Sequence, residues 1–197
     1  MGSGDGSGRV EQWSDEQLMQ RLLGGERNAL AALVTRHHAP LLGYLYRLTD
    51  GDRPLAEDLT QETFTRLLLP AGFQAGRPFK PWLYTIATNL ARDVYRSAAT
   101  RRTVTVPEDA LPERADPGHT PEAQAIAAEQ GRAVRAALRE LAEEYRVTLI
   151  LRFYQGLRLE EIATALDVPL GTVKSRLSVG TRRLRQILNT MGEEVQR

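Results

Sequence analysis

The sequence predicts an all-α protein of two small helical domains joined by a flexible acidic linker, the second domain ending in a helix-turn-helix. Three observations lead there. Apolar residues recur at three- and four-residue spacing through successive segments, the mark of helices with one buried face. Residues 103–121, TVTVPEDALPERADPGHTP, break that pattern with internal prolines, several acids and almost no large apolar residue, as a linker does. Residues 156–188, GLRLEEIATALDVPLGTVKSRLSVGTRRLRQIL, read as a short helix, a tight break and a basic second helix. That is the pattern that lays its second helix into a DNA major groove.

Composition bounds the rest. The chain has 197 residues, 42% hydrophobic and 26% charged, which predicts a globular protein of one or two domains. It has no cysteine, which excludes disulfides, thiolate zinc sites and a cysteine nucleophile and fits a cytoplasmic protein. No apolar run approaches the roughly 20 residues that span a bilayer, and the opening MGSGDGSG lacks the apolar core of a secretory signal. The net charge of +1 conceals a segregation. Residues 172–188 hold five Lys/Arg and no acid, whereas residues 50–62 hold five acids and one Arg. Binding responds to such local fields more than to their sum.

Residues 1–13 are predicted to be a disordered tail; their glycines have no strand before them and no helix directly after, so a phosphate-binding loop is not expected. Ser14 with Gln17 three residues on reads as a capping box, and Leu18, Leu22 and Leu23 follow at helical spacing. A second helix is expected over 27–49, its face made of Leu30, Leu33, Val34, Leu41, Leu45 and Leu48, with Pro40 bending it. His37 and His38 are adjacent, so they point to different sides and suit the surface or an interface better than a metal. A turn at 50–54 precedes a helix over 56–69. There Leu55, Leu59, Phe64, Leu67 and Leu68 can face a core, leaving Glu57, Asp58, Gln61, Glu62 and Thr65 for the other side.

After a breaker-rich loop at 70–78, a helix over about 81–101 interleaves Phe79, Trp82, Tyr84 and Tyr95 with Lys80, Arg92, Arg96, Arg101 and Arg102. Aromatic platforms beside cations suit single-stranded nucleic acid. The spacing of Trp82 and Ile86 favours a core stripe for those two, whereas Asn89, Arg92 and Arg96 lie off it and favour a nucleic-acid contact. Beyond the linker a helix starts at Pro121, a permitted first position, and runs to about 142, with Val134, Leu138 and Leu141 as core candidates. A buried helix over 145–153 ends at Gly156. In the last helix, stepping about 100° per residue from an inward Val173 brings Leu177 and Leu184 inward, with Gly180 near them. Lys174, Ser175, Ser178, Arg182 and Arg185 fall opposite, with Arg176, Val179 and Arg183 on the flank. The early residues Lys174, Ser175 and Ser178 are candidates for base edges, and Val179 for a thymine methyl. Arg182, Arg183 and Arg185 would hold phosphates. Gly180 counts as a cost there, since glycine inside a helix loses up to about 1 kcal/mol against alanine.

With these motifs in hand, the chain resembles the extracytoplasmic-function (group 4) sigma factors of bacterial RNA polymerase. AEDLTQETFTRLL is similar to their core-binding helix, PWLYTIATNLARDVYR to the segment that opens and reads the −10 promoter element, and EEIATALDVPLGTVKSRL to the −35 reader. The last of these also resembles LuxR-type regulators, so a helix-turn-helix regulator that does not bind polymerase stays as the alternative. The resemblance implies a region 2 domain over 14–102 and a region 4 domain over 122–192, with core polymerase (β′ clamp helices and β flap), promoter DNA and an anti-sigma factor as partners. It implies core binding by Asp58, Leu59, Gln61, Glu62 and Phe64. It implies −10 contacts by Phe73, Lys80, Trp82, Tyr84, Asn89, Arg92 and Arg96, with loop 70–78 taking up a flipped base. It implies −35 contacts by Lys174, Ser175, Arg176, Ser178, Val179, Arg182 and Arg183. The family commonly has Arg where Thr88 stands, and a Ser or Thr cap where Arg158 stands. Clustered catalytic carboxylates, a metal site and a phosphate-cradling loop are not found, so a non-catalytic protein without cofactor or metal and without membrane insertion is expected.

Overall fold

A computed structural model describes residues 12–69, 73–74, 76–100 and 121–195. Most of the expected tail, the linker over 103–120 and part of the 70–78 loop lie outside them. Among the described residues the chain forms eight helices and no strand: α1 (Asp15–Leu23), α2 (Arg27–Leu48), α3 (Arg53–Leu67), α4 (Phe79–Thr100), α5 (Pro121–Arg139), α6 (Glu143–Phe153), α7 (Leu159–Leu166) and α8 (Leu170–Val195). None of these helices is long and apolar enough to cross a membrane.

Local chemistry sets most of the boundaries. Ser14 and Gln17 close a reciprocal capping box on α1, with Gln17 N–H donating to Ser14 Oγ at 3.2 Å and Ser14 N–H to Gln17 Oε1 at 2.9 Å. Just before this cap, the Trp13 carbonyl accepts from Arg36 at 2.7 Å and its ring lies 3.6 Å under the Arg21 guanidinium. α2 continues through Pro40 to Leu48. α3 begins earlier than expected because Asp52 caps it, accepting from Leu55 N–H at 3.0 Å, and Pro54 occupies its first turn. α4 also starts early, at Phe79, whose N–H donates to Glu16 Oε1 at 3.0 Å. A residue from α1 thus caps a helix 63 residues away.

α2 packs on α1 and α3, and α4 closes the first unit against α3, α2 and α1. Leu18, Met19, Leu33, Leu41, Leu45 and Leu83 are fully buried there. His37 departs from the surface expectation: it is buried, with Nε2 2.7 Å from Asp15 Oδ2 and its ring 5.3 Å from Phe79. In the second unit α8 packs on α6, α7 and α5. Val147, Ile150, Ile162 and Val173 are fully buried. Gly180 has a use the sequence did not reveal. A Cβ there would come within 3.2 Å of Tyr145 Cβ and 3.3 Å of Leu149 Cδ1, so its absence lets α6 and α8 approach closely.

The two units meet. α7 lies along α4, and α6 touches α2. The turn between α2 and α3 is built for this: Asp50 (φ 57°) and Gly51 (φ 89°) are both left-handed, which aims the Asp50 carboxylate at Arg146, 2.5 Å away, and its carbonyl at Arg139.

Candidate functional site

Three surfaces gather the residues singled out by sequence. The first is the outer face of α8. α7 stops at Asp167, which takes the left-handed conformation (φ 52°) that a helix end needs. The chain then turns through Val168 and Pro169, and α8 restarts with Thr172 and Val173 N–H groups both donating to the Pro169 carbonyl. At the start of α7 no side chain from Arg158 caps the helix; its N–H instead donates to Glu161 Oε2 at 2.7 Å. Val173 is fully buried and anchors the rotation of α8. Lys174, Ser175, Ser178, Arg182 and Arg185 are all exposed, on the side opposite Val173. Val179 is half-buried. Two arginines of the set turn toward α6: Arg176 Nη2 is 3.9 Å from Glu144, and the Arg183 guanidinium lies 4.8 Å from the Tyr145 ring centroid. Arg183 nonetheless stays exposed, so the exposed cations of this face are Lys174, Arg182, Arg183 and Arg185.

The second surface is α3. Glu57, Asp58, Gln61, Glu62 and Thr65 are exposed, whereas Leu59 and Phe64 are buried. Glu57 pairs with Arg53 at 2.8 Å and Glu62 with Arg66 at 3.0 Å along the helix. Beside this face an open groove of about 580 Å³ runs between α2 and α3, with Leu30, Val34, Leu42, Phe64 and Leu68 on its walls. Of the five core-binding candidates, then, three side chains are presented outward, Phe64 lines the groove and Leu59 is buried in the core.

The third surface is α4. Phe73, Phe79 and Trp82 form one buried aromatic cluster, with the Phe73 and Trp82 rings 4.9 Å apart. This is the core stripe that the spacing of Trp82 favoured, and neither Phe73 nor Trp82 offers an open ring face for stacking in this arrangement. Tyr84 is also buried, edge-on to Tyr44 at 5.0 Å, and its hydroxyl donates to Gln155 Oε1 at 2.5 Å. Burial pushes its phenol above the ordinary tyrosine range. Lys80 Nζ donates to the Gln155 carbonyl at 2.8 Å, and Arg92 Nε to Glu143 at 2.8 Å. Asn89 is exposed, and so is Arg96, 3.6 Å from Asp93. Thr88 is fully buried, its hydroxyl bonded to the Tyr84 carbonyl and within 2.6 Å of the Tyr44 hydroxyl. An Arg there would have no room in this packing. Asp50, Glu143, Arg146 and Gln155 were not singled out by sequence. Glu143 bonds Arg92 51 residues away, Gln155 bonds Tyr84 71 residues away, and Asp50 and Arg146 pair across 96 residues, and no local pattern encodes that.

Comparison with known proteins matches these surfaces to two recognised modules. Residues 33–101 match the family described as sigma-70 region 2, and residues 131–191 that described as sigma-70 region 4. The chain is 35% identical over 170 residues to the ECF RNA polymerase sigma factor SigL of Mycobacterium tuberculosis (strain H37Rv), covering 85% of this chain and 93% of that one. It is 32% identical over 175 residues to the RNA polymerase sigma-H factor of Pseudomonas aeruginosa, covering 85% and 90%. Among solved structures it is similar to CnrH in complex with the cytosolic domain of CnrY, with a TM-score of 0.65, 25% identity and coverage of 89% and 97%. The fold is also shared with RpoE of Bartonella quintana in its complex with the anti-sigma factor NepR, with a TM-score of 0.64, 23% identity and coverage of 79% and 94%. With both sigma modules in order on one chain, and full-length relatives at this identity, the protein belongs to the ECF sigma factors of the sigma-70 family.

Proposed function

We propose that this chain is a group 4 sigma factor, a non-catalytic subunit that brings core RNA polymerase to a two-part promoter. Residues 14–102 serve as the region 2 domain and residues 122–192 as the region 4 domain, joined by the acidic linker 103–121. The observation that carries the reading is the placement of opposite charges on separate exposed faces of one chain: acids on α3, cations on the outer face of α8. An acidic face repels DNA and suits a protein partner; a basic face on the second helix of a helix-turn-helix suits the major groove.

Division of labour follows from the exposures. Asp58, Gln61 and Glu62 meet the β′ clamp helices, with Leu59 and Phe64 shaping the surface beneath them. Lys174, Ser175 and Ser178 reach base edges of the −35 element, and Arg182 phosphates. Arg176 and Arg183 orient α8, and Val179 borders the contact. On α4, Asn89 and the Asp93-paired Arg96 are exposed on the side assigned to −10 DNA; Lys80, Tyr84 and Arg92 serve there from positions now bonded to the second unit. Phe73 and Trp82 are buried together against Phe79. An anti-sigma factor is the partner expected to hold the chain inactive; the Bartonella relative was solved with one. A dimeric helix-turn-helix regulator would need neither the acidic α3 face nor the aromatic and basic α4.

Run-off transcription over a library of genomic fragments tests this. Purified chain added to core polymerase should start transcription at defined sites that core alone does not use. Absence of a stable complex with core would overturn the sigma reading.

A further inference from the structure

We propose that Glu16, in the first turn of α1, is a positioning residue for the −10 contact: it caps α4 from outside and so fixes the turn that carries Phe79, Lys80 and Trp82. The inference rests on the sigma reading above and gives α1, to which that reading assigns no contact, a part in promoter recognition.

α4 cannot cap itself. The residue before it is Pro78, which has no side-chain acceptor, and its first turn holds no acid. Pro81 removes one of the orphan N–H groups at this end but leaves those of Phe79 and Lys80. Glu16 supplies the missing acceptor. Its Oε1 takes the Phe79 N–H at 3.0 Å, across 63 residues of sequence. Its carboxylate also sets a negative charge at the positive end of the α4 dipole. The bond from Phe79 is the largest influence on the half-buried Glu16 carboxyl and holds it below the ordinary carboxylate range, although burial opposes this.

The cap reaches beyond one bond because Phe79 is held on two sides. Its ring lies 5.3 Å from His37, whose Nε2 is 2.7 Å from Asp15 Oδ2. The two acids that open α1 thus secure one residue, Glu16 through its N–H and Asp15 through the neighbour of its ring. Phe79 in turn packs on Trp82 and Phe73, with ring centroids 6.1 Å and 6.5 Å away. Phe73 belongs to the loop that leads into α4, Trp82 to the first turn of the helix, and Lys80 follows Phe79 directly. A shift of this turn therefore moves Phe73, Lys80 and Trp82 together, three of the residues assigned to the −10 element. The exposed groups assigned to core, Asp58, Gln61 and Glu62, and to the −35 element, Lys174, Ser175 and Ser178, sit on other helices.

The test joins core polymerase to the full chain carrying Glu16→Ala or Glu16→Gln. Glutamine keeps an acceptor at Oε1 and loses the charge; alanine loses both. Each removes the same charge from the first turn of α1, so the difference between them isolates the bond to Phe79. Binding is read with a labelled non-template oligonucleotide carrying the −10 element found by run-off. Alanine should lower the affinity of the holoenzyme for it by about tenfold, within the span of a lost helix cap when the bound arrangement alone needs that cap. Glutamine should recover most of the loss. Affinity for core and for the −35 duplex should stay unchanged in both variants. Amide hydrogen exchange at Phe79 should quicken with alanine and stay near wild type with glutamine. Glu16→Asp keeps the charge on α1 but is one methylene too short to reach the N–H, so it should follow alanine; it takes the place of alanine if circular dichroism shows that variant losing helix. Equal oligonucleotide affinities, a glutamine variant as weak as alanine, or a loss spread evenly over oligonucleotide, core and −35 duplex would overturn the positioning role. Run-off by wild type separates the two claims. Initiation with unchanged oligonucleotide affinities sinks the role of Glu16 alone; no initiation with core sinks the sigma reading and this role with it.

Discussion

Asp15 lies in the first turn of α1, bonded to His37 Nε2 at 2.7 Å and Arg36 Nη1 at 3.0 Å. Burial alone pushes its carboxyl up, but the hydrogen bonds and charges of His37 and Arg36 outweigh that and hold it below the usual carboxylate range. The consequence for stability has a definite sign. With the native value depressed, the unfolded chain takes up the proton more readily. The contribution is full above the unfolded value of about 3.9 and is lost as pH falls through the native one. Asp15→Asn should therefore cost about 1.5–3 kcal/mol at neutral pH, the range for a hydrogen bond to a charged group. Urea unfolding at pH 7 and in acid checks this: the two proteins should converge only once the carboxylate is protonated. A gap that persists in acid would mean that Asp15 acts through packing instead. None of this was visible in the sequence beyond the two acids that open α1. His37 was read as a surface or interface residue because its partner is 22 residues away, across a helix pair.

Along α8, two glycines make a controlled comparison. Gly180 faces α6, where an added Cβ meets Tyr145 Cβ at 3.2 Å and Leu149 Cδ1 at 3.3 Å; Gly192 meets nothing within 4 Å. Alanine raises helix propensity at both by up to about 1 kcal/mol. At Gly180 the Tyr145 Cβ is fixed to its backbone and cannot swing away, so the helices must separate, and overpacking costs typically about 1–3 kcal/mol. Gly180→Ala should thus lower stability by about 1 kcal/mol, while Gly192→Ala should raise it slightly. Equal gains at both sites in denaturant unfolding would show that α6 yields at no cost. The same helix shows what a linear reading can and cannot see. The wheel from Val173 to Lys174, Ser175 and Ser178 was legible, because helical period and burial share one cause. The spacing of Trp82 and Ile86 pointed to the core for the same reason, as did the capping box at Ser14. The start of α4 was not legible, since Glu16 caps it from another helix. Arg176 and Arg183 were assigned to DNA by charge, and the wheel could not reveal that Glu144 and Tyr145 on α6 compete for them. The closure of one unit on the other was invisible for a like reason: Gln155, Glu143 and Asp50 carry no local pattern.

At the scale of the molecule, the sigma reading requires that core binding and DNA binding be separable, because they use faces of opposite charge on different units. Asp58 and Glu62 provide the sharpest test. Both are exposed, and Glu62 pairs with an exposed neighbour on its own helix, Arg66. Exposed pairs of this kind contribute about 0.2–1 kcal/mol, so reversing the charges should leave the fold close to its original stability. The field of the α3 face, however, changes sign. If that face meets a basic surface on core, the encounter loses its steering and the bound state acquires like charges in contact, which costs several kcal/mol. Asp58→Lys with Glu62→Lys should therefore reduce affinity for core by at least about tenfold, with the larger part at low salt, where screening is weakest. Binding to a −35 duplex should stay unchanged, because Lys174, Ser175 and Ser178 project from α8 in the other unit. Titration of labelled protein with core polymerase, beside gel-shift with the duplex, measures both. Parallel loss of the two activities would mean that the faces are coupled through the fold. Loss of duplex binding alone would mean that α3 shapes the DNA contact rather than the polymerase contact.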